Sequence, residues 1–146
     1  MSDIRIYTDG ACSGNPGVGG WGVVILSNNM IKKYNGKEAD TTNNRMELIA
    51  AINGISKTPE GSSIILHTDS KYVKDGITQW IFNWKKNDWK TSTNKSVKNQ
   101  DLWIKLDNLA GIYCINWQWV RAHQKDDSDH TIYNNLADEL ARGAIS

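Results

Sequence analysis

The sequence has few cysteines, few prolines and no long hydrophobic run. Cys12 and Cys114 are the only cysteines among 146 residues, which excludes a disulfide framework and a cysteine-based zinc site. No apolar stretch approaches the roughly 18 residues that a membrane-spanning helix needs. The polar N-terminus enters a predicted strand at once, which leaves no room for a signal peptide. We therefore expect a reduced, cytoplasmic protein, a monomer without a membrane partner.

Charge is nearly balanced overall but unevenly distributed. The net charge is +1, yet residues 71–98 hold seven lysines against Asp75 and Asp88, a local charge of +5. A basic segment on a near-neutral protein suggests a polyanionic partner held on one face. A solvated lysine-rich face is the alternative that charge alone leaves open.

Hydrophobic periodicity predicts an α/β domain of order β-β-β-α-β-α-α-β-α. Strands are predicted over 3–9, 20–27, 30–37, 63–70 and 112–120, with a Gly-rich loop over 12–20 and an Asn28-Asn29 hairpin. Helices are predicted over 41–57, 70–76, 76–86, 100–111 and 134–143. Because a helix joins the first and fourth strands, we expect these strands to be parallel neighbours in a five-stranded mixed sheet.

Two of these strands end in aspartate: YTDG places Asp9 after the first, and HTDS places Asp69 after the fourth. Each alone reads as a turn residue or a helix start. Parallel strands, however, bring both carboxylates to one edge of the sheet, where open α/β sheets bind ligands. Like charges at close range are unfavourable without a counter-charge, which a bound cation would supply.

Two further carboxylates and a histidine are candidates for the same site. Glu47 is either a capping carboxylate or faces the sheet edge, and Asp138, among apolar neighbours, is either solvated or turned inward. Four carboxylates without a Cys/His cluster suit Mg²⁺ or Mn²⁺, and two such ions can drive phosphodiester cleavage. His123 follows the fifth strand; it is either structural or a proton shuttle.

Five separated segments resemble bacterial type 1 ribonuclease H: YTDGACSGNPG, TTNNRMELIAAI, HTDSKYVKDGITQWIFNWKKNDWK, VKNQDLW and ADELA. The resemblance implies a ribonuclease H-like fold in one catalytic domain over residues 1–146. It also implies an endonuclease that hydrolyses the RNA strand of RNA–DNA hybrids with two metal ions, leaving 5′-phosphate and 3′-hydroxyl ends. By motif, Asp9, Glu47, Asp69 and Asp138 would be the metal ligands, and His123 the histidine of a mobile loop.

The resemblance also implies three sets of substrate contacts. Minor-groove residues that sense ribose 2′-hydroxyls would be Gly10, Cys12, Asn15, Asn43 and Asn44. A pocket for a DNA-strand phosphate would include Thr42 and Asn99. A basic protrusion that grips the DNA strand would hold Trp80, Trp84, Lys85, Lys86, Trp89 and Lys90, with at least one tryptophan partly in the core.

The chain departs from the family pattern in four places. The segment from His123 to Asp138 is longer than in the best-known bacterial members, and it adds Asp126, Asp127, Asp129 and His130 near the site. Asn135 stands where a glutamate is common, and Lys71 replaces a common glutamine. Asp40 occupies a position where a basic residue is expected, which predicts a weaker phosphate pocket.

Two other functions are compatible with an acidic cluster on such a sheet. One is a junction resolvase or integrase core, which would lack TTNNRMEL and the Trp/Lys protrusion. The other is a catalytically silent nucleic-acid-binding module. Four retained carboxylates argue against the second, because a binder has no reason to turn them toward a polyanion.

Overall fold

The computed structural model describes residues 3–146; residues 1 and 2, part of the predicted polar N-terminus, lie outside the described part. Its strands form one sheet of order β3-β2-β1-β4-β5. The first three strands are antiparallel, whereas β1–β4 and β4–β5 are parallel. The strands are β1 Ile4–Gly14, β2 Gly17–Ser27, β3 Met30–Thr41, β4 Ser63–Thr68 and β5 Cys114–Trp119. The predicted mixed sheet and the parallel pairing of β1 and β4 are confirmed.

The helices cover both faces of this sheet. They are α1 Asn43–Ser56, α2 Lys71–Asp75, α3 Ile81–Lys86, α4 Gln100–Ala110 and α5 Asp129–Ile145, with a π-helical turn at Gly76–Trp80 between α2 and α3. One hydrophobic cluster contains α1 and α4, and a smaller one forms against α5. Ile6 belongs to the first cluster and Tyr7 to the second, as expected for neighbours in a strand, whose side chains alternate between faces.

The predicted Gly-rich loop over 12–20 is wrong, because β1 and β2 continue into a tight hairpin that pairs Gly14 with Gly17. Glycine in this stretch serves packing instead. A Cβ on Gly20 would lie 2.1 Å from the carbonyl oxygen of Ala141 on α5. Gly20 therefore lets α5 lie directly on β2. The second hairpin turn is as predicted, with Asn28 and Asn29 at φ 52° and 62°, the left-handed values of a two-residue turn.

The helix that carries Asp138 is longer than predicted. α5 begins at Asp129 instead of 134 and continues past Gly143 to Ile145. Ser128 caps it, its side chain accepting a hydrogen bond from the Thr131 backbone N–H, which satisfies one of the free amides at a helix start. No helix within residues 3–146 is long and apolar enough to cross a membrane.

Candidate active site

Three carboxylates meet at the edge of the sheet where β1 and β4 run side by side. One oxygen each from Asp9, Glu47 and Asp69 lies within 4.8 Å of the other two. The register pairs Thr8 with Thr68, so the following aspartates emerge together. Asp9 and Glu47 are buried, with 4% and 6% of their surfaces exposed.

Glu47 reaches this cluster because α1 lies directly against β1. A Cβ at Gly10 would stand 2.5 Å from the backbone nitrogen of Glu47, so only glycine permits this approach. The capping alternative for Glu47 is wrong: Thr42 caps α1, its Oγ1 accepting a hydrogen bond from the Arg45 backbone N–H at 3.2 Å. The carboxylate of Glu47 is therefore free to face Asp9.

The electrostatics of the cluster call for positive charge. Burial, followed by the neighbouring charge of Asp69, raises the pKa of Asp9 to about 8. Burial and the charges of Asp9 and Asp69 also hold the pKa of Glu47 well above its usual range. Glu47 Oε1 is buried without a hydrogen-bond partner. Convergent carboxylate oxygens, one of them unpartnered, fit a hard divalent cation.

Helix α5 supplies polar groups along one side of this cluster. Asp138 lies close enough to Asp9 for its charge and a side-chain hydrogen bond to raise the pKa of Asp9 further. Arg142 donates from Nε to Asp138 Oδ2 at 2.9 Å. Asn134, which is 2% exposed, donates from Nδ2 to Asp69 Oδ2 at 3.3 Å. Asn134 and Arg142 were not singled out from the sequence; their spacing of four residues on either side of Asp138 was the available signal.

The histidine predicted for catalysis lies outside this cluster. His123 is exposed in the segment between β5 and α5, with a left-handed φ of 55°. His130, in the first turn of α5, is engaged elsewhere: its Nδ1 lies 2.5 Å from the Tyr7 hydroxyl. The structure therefore leaves His123, not His130, free to approach a bound substrate.

The predicted minor-groove residues gather beside the carboxylates, on the β1–β2 hairpin and at the start of α1. Asn15 Oδ1 accepts a hydrogen bond from the Asn43 backbone N–H at 3.2 Å. The side chains of Asn43 and Asn44 are exposed. Cys12 is partly buried, with Sγ 3.5 Å from the carbonyl oxygen of Thr41, so it is the least available of the set.

Arg45 joins the two residues predicted for the phosphate pocket. Its backbone N–H donates to Thr42, and its Nη1 donates to Asn99 Oδ1 at 3.2 Å. The same guanidinium pairs with Asp101 at 3.0 Å. Arg45, overlooked within TTNNRMEL, places positive charge at this pocket, although the site expected to be basic holds Asp40.

The predicted protrusion contains both packed and exposed residues. Trp84 and Trp89 pack against the main hydrophobic cluster, whereas Trp80 is 38% exposed. The expectation of a partly buried tryptophan is thus confirmed. Lys85 pairs with Asp107 at 3.1 Å, while Lys86 and Lys90 are exposed. The lysines most accessible to an anion are therefore Lys86 and Lys90.

A mixed five-stranded sheet that gathers buried carboxylates at the ends of two parallel strands defines an α/β protein with an acidic cluster suited to a metal ion. Within that class, the family model for RNase H matches residues 1–146, and the chain belongs to the RNase H family. The predicted enzyme class, ribonuclease H, is confirmed.

Curated relatives and solved structures agree with this assignment. Ribonuclease H of Wolbachia sp. subsp. Drosophila simulans (strain wRi) is 54% identical over 98% of this chain and 95% of its own length. Ribonuclease H of Maricaulis maris (strain MCS10) is 52% identical over 100% and 95%. The structure of LC9-RNase H1 superposes with a TM-score of 0.82 at 27% identity, covering 99% of this chain and 74% of that one.

Proposed function

We propose that the protein is an endonuclease that hydrolyses the RNA strand of RNA–DNA hybrids by two-metal-ion catalysis with Mg²⁺, for which Mn²⁺ can substitute. The observation that carries this proposal is the convergence of Asp9, Glu47 and Asp69 at one sheet edge, with Glu47 Oε1 buried and unpartnered. The ribonuclease H relatives support the same activity. We further propose that the protein acts as a monomer.

The four carboxylates would hold the metal ions, and two polar residues of α5 orient them. Asp9, Glu47 and Asp69 would hold one divalent ion, and Asp138 would complete a second site beside Asp9. When bound, such ions supply an activated water and stabilise the leaving oxygen of the displacement. Asn134 orients Asp69 through its hydrogen bond, and Arg142 restrains Asp138, as outer partners of metal ligands commonly do.

Hydrolysis breaks the bond between phosphorus and the 3′-oxygen. Water oxygen becomes part of the 5′-phosphate, and the departing 3′-oxygen gains a proton to become a hydroxyl. We assign delivery of that proton to the imidazole of His123, whose exposed segment can approach a duplex seated on the carboxylates. A positioned acid or base of this kind contributes about 10²- to 10⁴-fold.

Specificity for the hybrid is assigned to two surfaces. Asn43 and Asn44, exposed at the start of α1, can both donate to and accept from a ribose 2′-hydroxyl, the group that distinguishes RNA from DNA. Lys86 and Lys90, with Trp80, face outward from the protrusion and suit a phosphate backbone flanked by bases or sugars. The first surface recognises the strand that is cut, and the second binds the DNA strand.

Parallel assays on four substrates test this function. In Mg²⁺, the enzyme is expected to cut the RNA strand of a hybrid, to cut an all-RNA duplex poorly, and to leave DNA duplex and a four-way junction intact. Product ends should be 5′-phosphate and 3′-hydroxyl. Asp69→Asn is the inactive control, and Glu60→Gln, exposed at the opposite end of β4, is the active one. Efficient cleavage of the junction would instead support the resolvase or integrase alternative.

A further inference from the structure

A pair of ring side chains lies directly behind Asp9 and Asp69 on the face of the sheet that α5 covers. Tyr7 and His67 are register partners across β1 and β4, and their rings stack at 4.3 Å with an interplanar angle of 11°. Tyr7 precedes Asp9 by two positions, and His67 precedes Asp69 by two. Because alternate residues of a strand share a face, this ring pair and the pair Asp9 and Asp69 form adjacent rows beneath α5.

Helix α5 presents one residue per turn to these rows. His130, Asn134 and Asp138 are spaced by four residues and therefore follow one another along one side of the helix. Asp138 reaches Asp9, and Asn134 reaches Asp69. One turn earlier, His130 contacts the ring pair, with its Nδ1 2.5 Å from Tyr7 Oη and its ring 4.7 Å from that of His67.

The contact with His130 gives a buried hydroxyl its hydrogen-bond partner. Tyr7 has no exposed surface. Buried hydroxyls require a hydrogen-bond partner, and His130 Nδ1 is the partner of Tyr7 within residues 3–146. His67 lies face to face with the Tyr7 ring, and both of its ring nitrogens lack hydrogen-bond partners.

We propose that His130 is a positioning residue for the cleavage reaction. Through its hydrogen bond with the Tyr7 hydroxyl, it fixes the first turn of α5 on the sheet and sets how Asn134 and Asp138 approach the carboxylate cluster. Reaction rates are sensitive to misplacement on the scale of 1 Å. The inference rests on the proposed function, and it gives a role to the segment between His123 and Asp138, since that segment contributes His130.

The test removes each side of the hydrogen bond and then both. Tyr7→Phe and His130→Phe are each expected to lower kcat about three- to tenfold, the range that one net hydrogen bond spans, with KM changed less than twofold. The double variant should be no slower than either single one, because both remove the same interaction. His130→Gln, which keeps an acceptor, should recover part of the rate. Ile132→Ala, exposed on α5, is the matched control and should match the parent.

A readout without substrate separates this inference from the proposed function. The side-chain amide of Asn134 is expected to give slowly exchanging NMR signals in the parent protein and faster exchange in Tyr7→Phe and His130→Phe. If the parent fails to cut hybrids, the proposed function is wrong, and the amide signals still decide the role of His130.

Two results would overturn the positioning role. One is a parent that cuts hybrids while kcat and the Asn134 amide signals stay unchanged in both variants. The other is a lower melting temperature with unchanged kcat, which would make the contact purely structural. Should His130→Phe fail to fold, Tyr7→Phe and His130→Gln carry the same decision.

Discussion

Gly22 of β2 lies directly beneath the backbone of Ala137 on α5: a Cβ at Gly22 would stand 2.2 Å from the Ala137 carbonyl oxygen. Ala137 is fully buried and adjoins Asp138 in sequence. This contact sets the distance between helix and sheet at the point where α5 delivers Asp138 to the cluster. The absence of a side chain at position 22 is thus a condition for the site.

The first prediction is that Gly22→Ala destabilises the protein by about 2 to 3 kcal/mol, the upper part of the range for overpacking. Thermal melting measures this. Gly143→Ala, within α5 itself, is the control, because a Cβ there meets nothing within 4 Å. This variant should stabilise the protein by up to about 1 kcal/mol. Equal stability of the two variants would mean that α5 does not require glycine beneath it.

The second prediction concerns pH and the metal-free protein. Asp9 has a folded-state pKa of about 8 against an ordinary value of 3.8, so the folded state binds its proton more tightly than the unfolded state. The stabilisation that protonated Asp9 contributes is therefore fully present below about pH 4. It is lost as the pH rises toward 8. Asp9→Asn removes this titration and should melt at a higher temperature than the parent at pH 8.

Melting curves in a chelator between pH 5 and pH 9 check the second prediction. Glu60→Gln serves as the control for loss of one exposed carboxylate away from the cluster, and its pH dependence should match that of the parent. Added Mg²⁺ should raise the melting temperature of the parent at pH 8, because a ligand that binds the folded state stabilises it. A parent whose stability is independent of pH over this range would contradict the raised pKa of Asp9.

The third prediction separates a proton-transfer residue from a metal ligand. His123→Ala should slow cleavage about 10²- to 10⁴-fold while leaving metal affinity unchanged, and Asp69→Asn should be slower still. Rates at saturating hybrid and calorimetric Mg²⁺ titrations measure the two effects. An unaffected rate in His123→Ala would remove this histidine from the reaction, and a loss equal to that of Asp69→Asn would give it a different role.

The fourth prediction concerns the protrusion. Replacing Lys86 and Lys90 by alanine should raise KM and leave kcat nearly unchanged, the pattern of lost uniform binding. Each lost phosphate contact should also flatten the slope of log affinity against log salt by about 0.9, the duplex-DNA value. Lys85→Ala should have a smaller effect, because Lys85 is already paired with Asp107.

A charge-matched control makes the protrusion test specific. Lys32 and Lys33 are exposed on the edge strand β3, away from the predicted DNA contact, so replacing both by alanine removes the same charge elsewhere. The KM and the salt slope of this double variant should match those of the parent. If the two double variants behave alike, the protrusion lysines are a solvated face and do not grip the substrate.

The sequence was informative where structure depends on local pattern. Alternation and helical spacing predicted β1, β4 and the buried face of α1, with Leu48, Ile52 and Ile55 in the core. Parallel pairing of two strands was then enough to predict that Asp9 and Asp69 would meet. The five motif segments indicated the family.

Features that depend on distant contacts were not predicted. Asn134 and Asp69 are 65 residues apart, and no local pattern links them. The glycine-rich stretch up to Gly20 read as a loop, because the reason for Gly20, the backbone of α5, lies elsewhere in the chain. The start of α5 was placed too late because Ser128 and the polar residues after it resemble a loop until the cap is seen.

The most direct test of the central claim, that the carboxylate cluster is the metal-dependent catalytic site for hybrids, is a Mg²⁺ titration of hybrid cleavage. Parent protein, Asp69→Asn and Glu60→Gln are compared on one labelled RNA–DNA hybrid, after metal has been removed by a chelator. We predict no cleavage without Mg²⁺, saturable cleavage by the parent and by Glu60→Gln, and none detectable by Asp69→Asn, whose hybrid affinity is retained. Cleavage by the metal-free parent, or a near-parental rate in Asp69→Asn, would contradict the account.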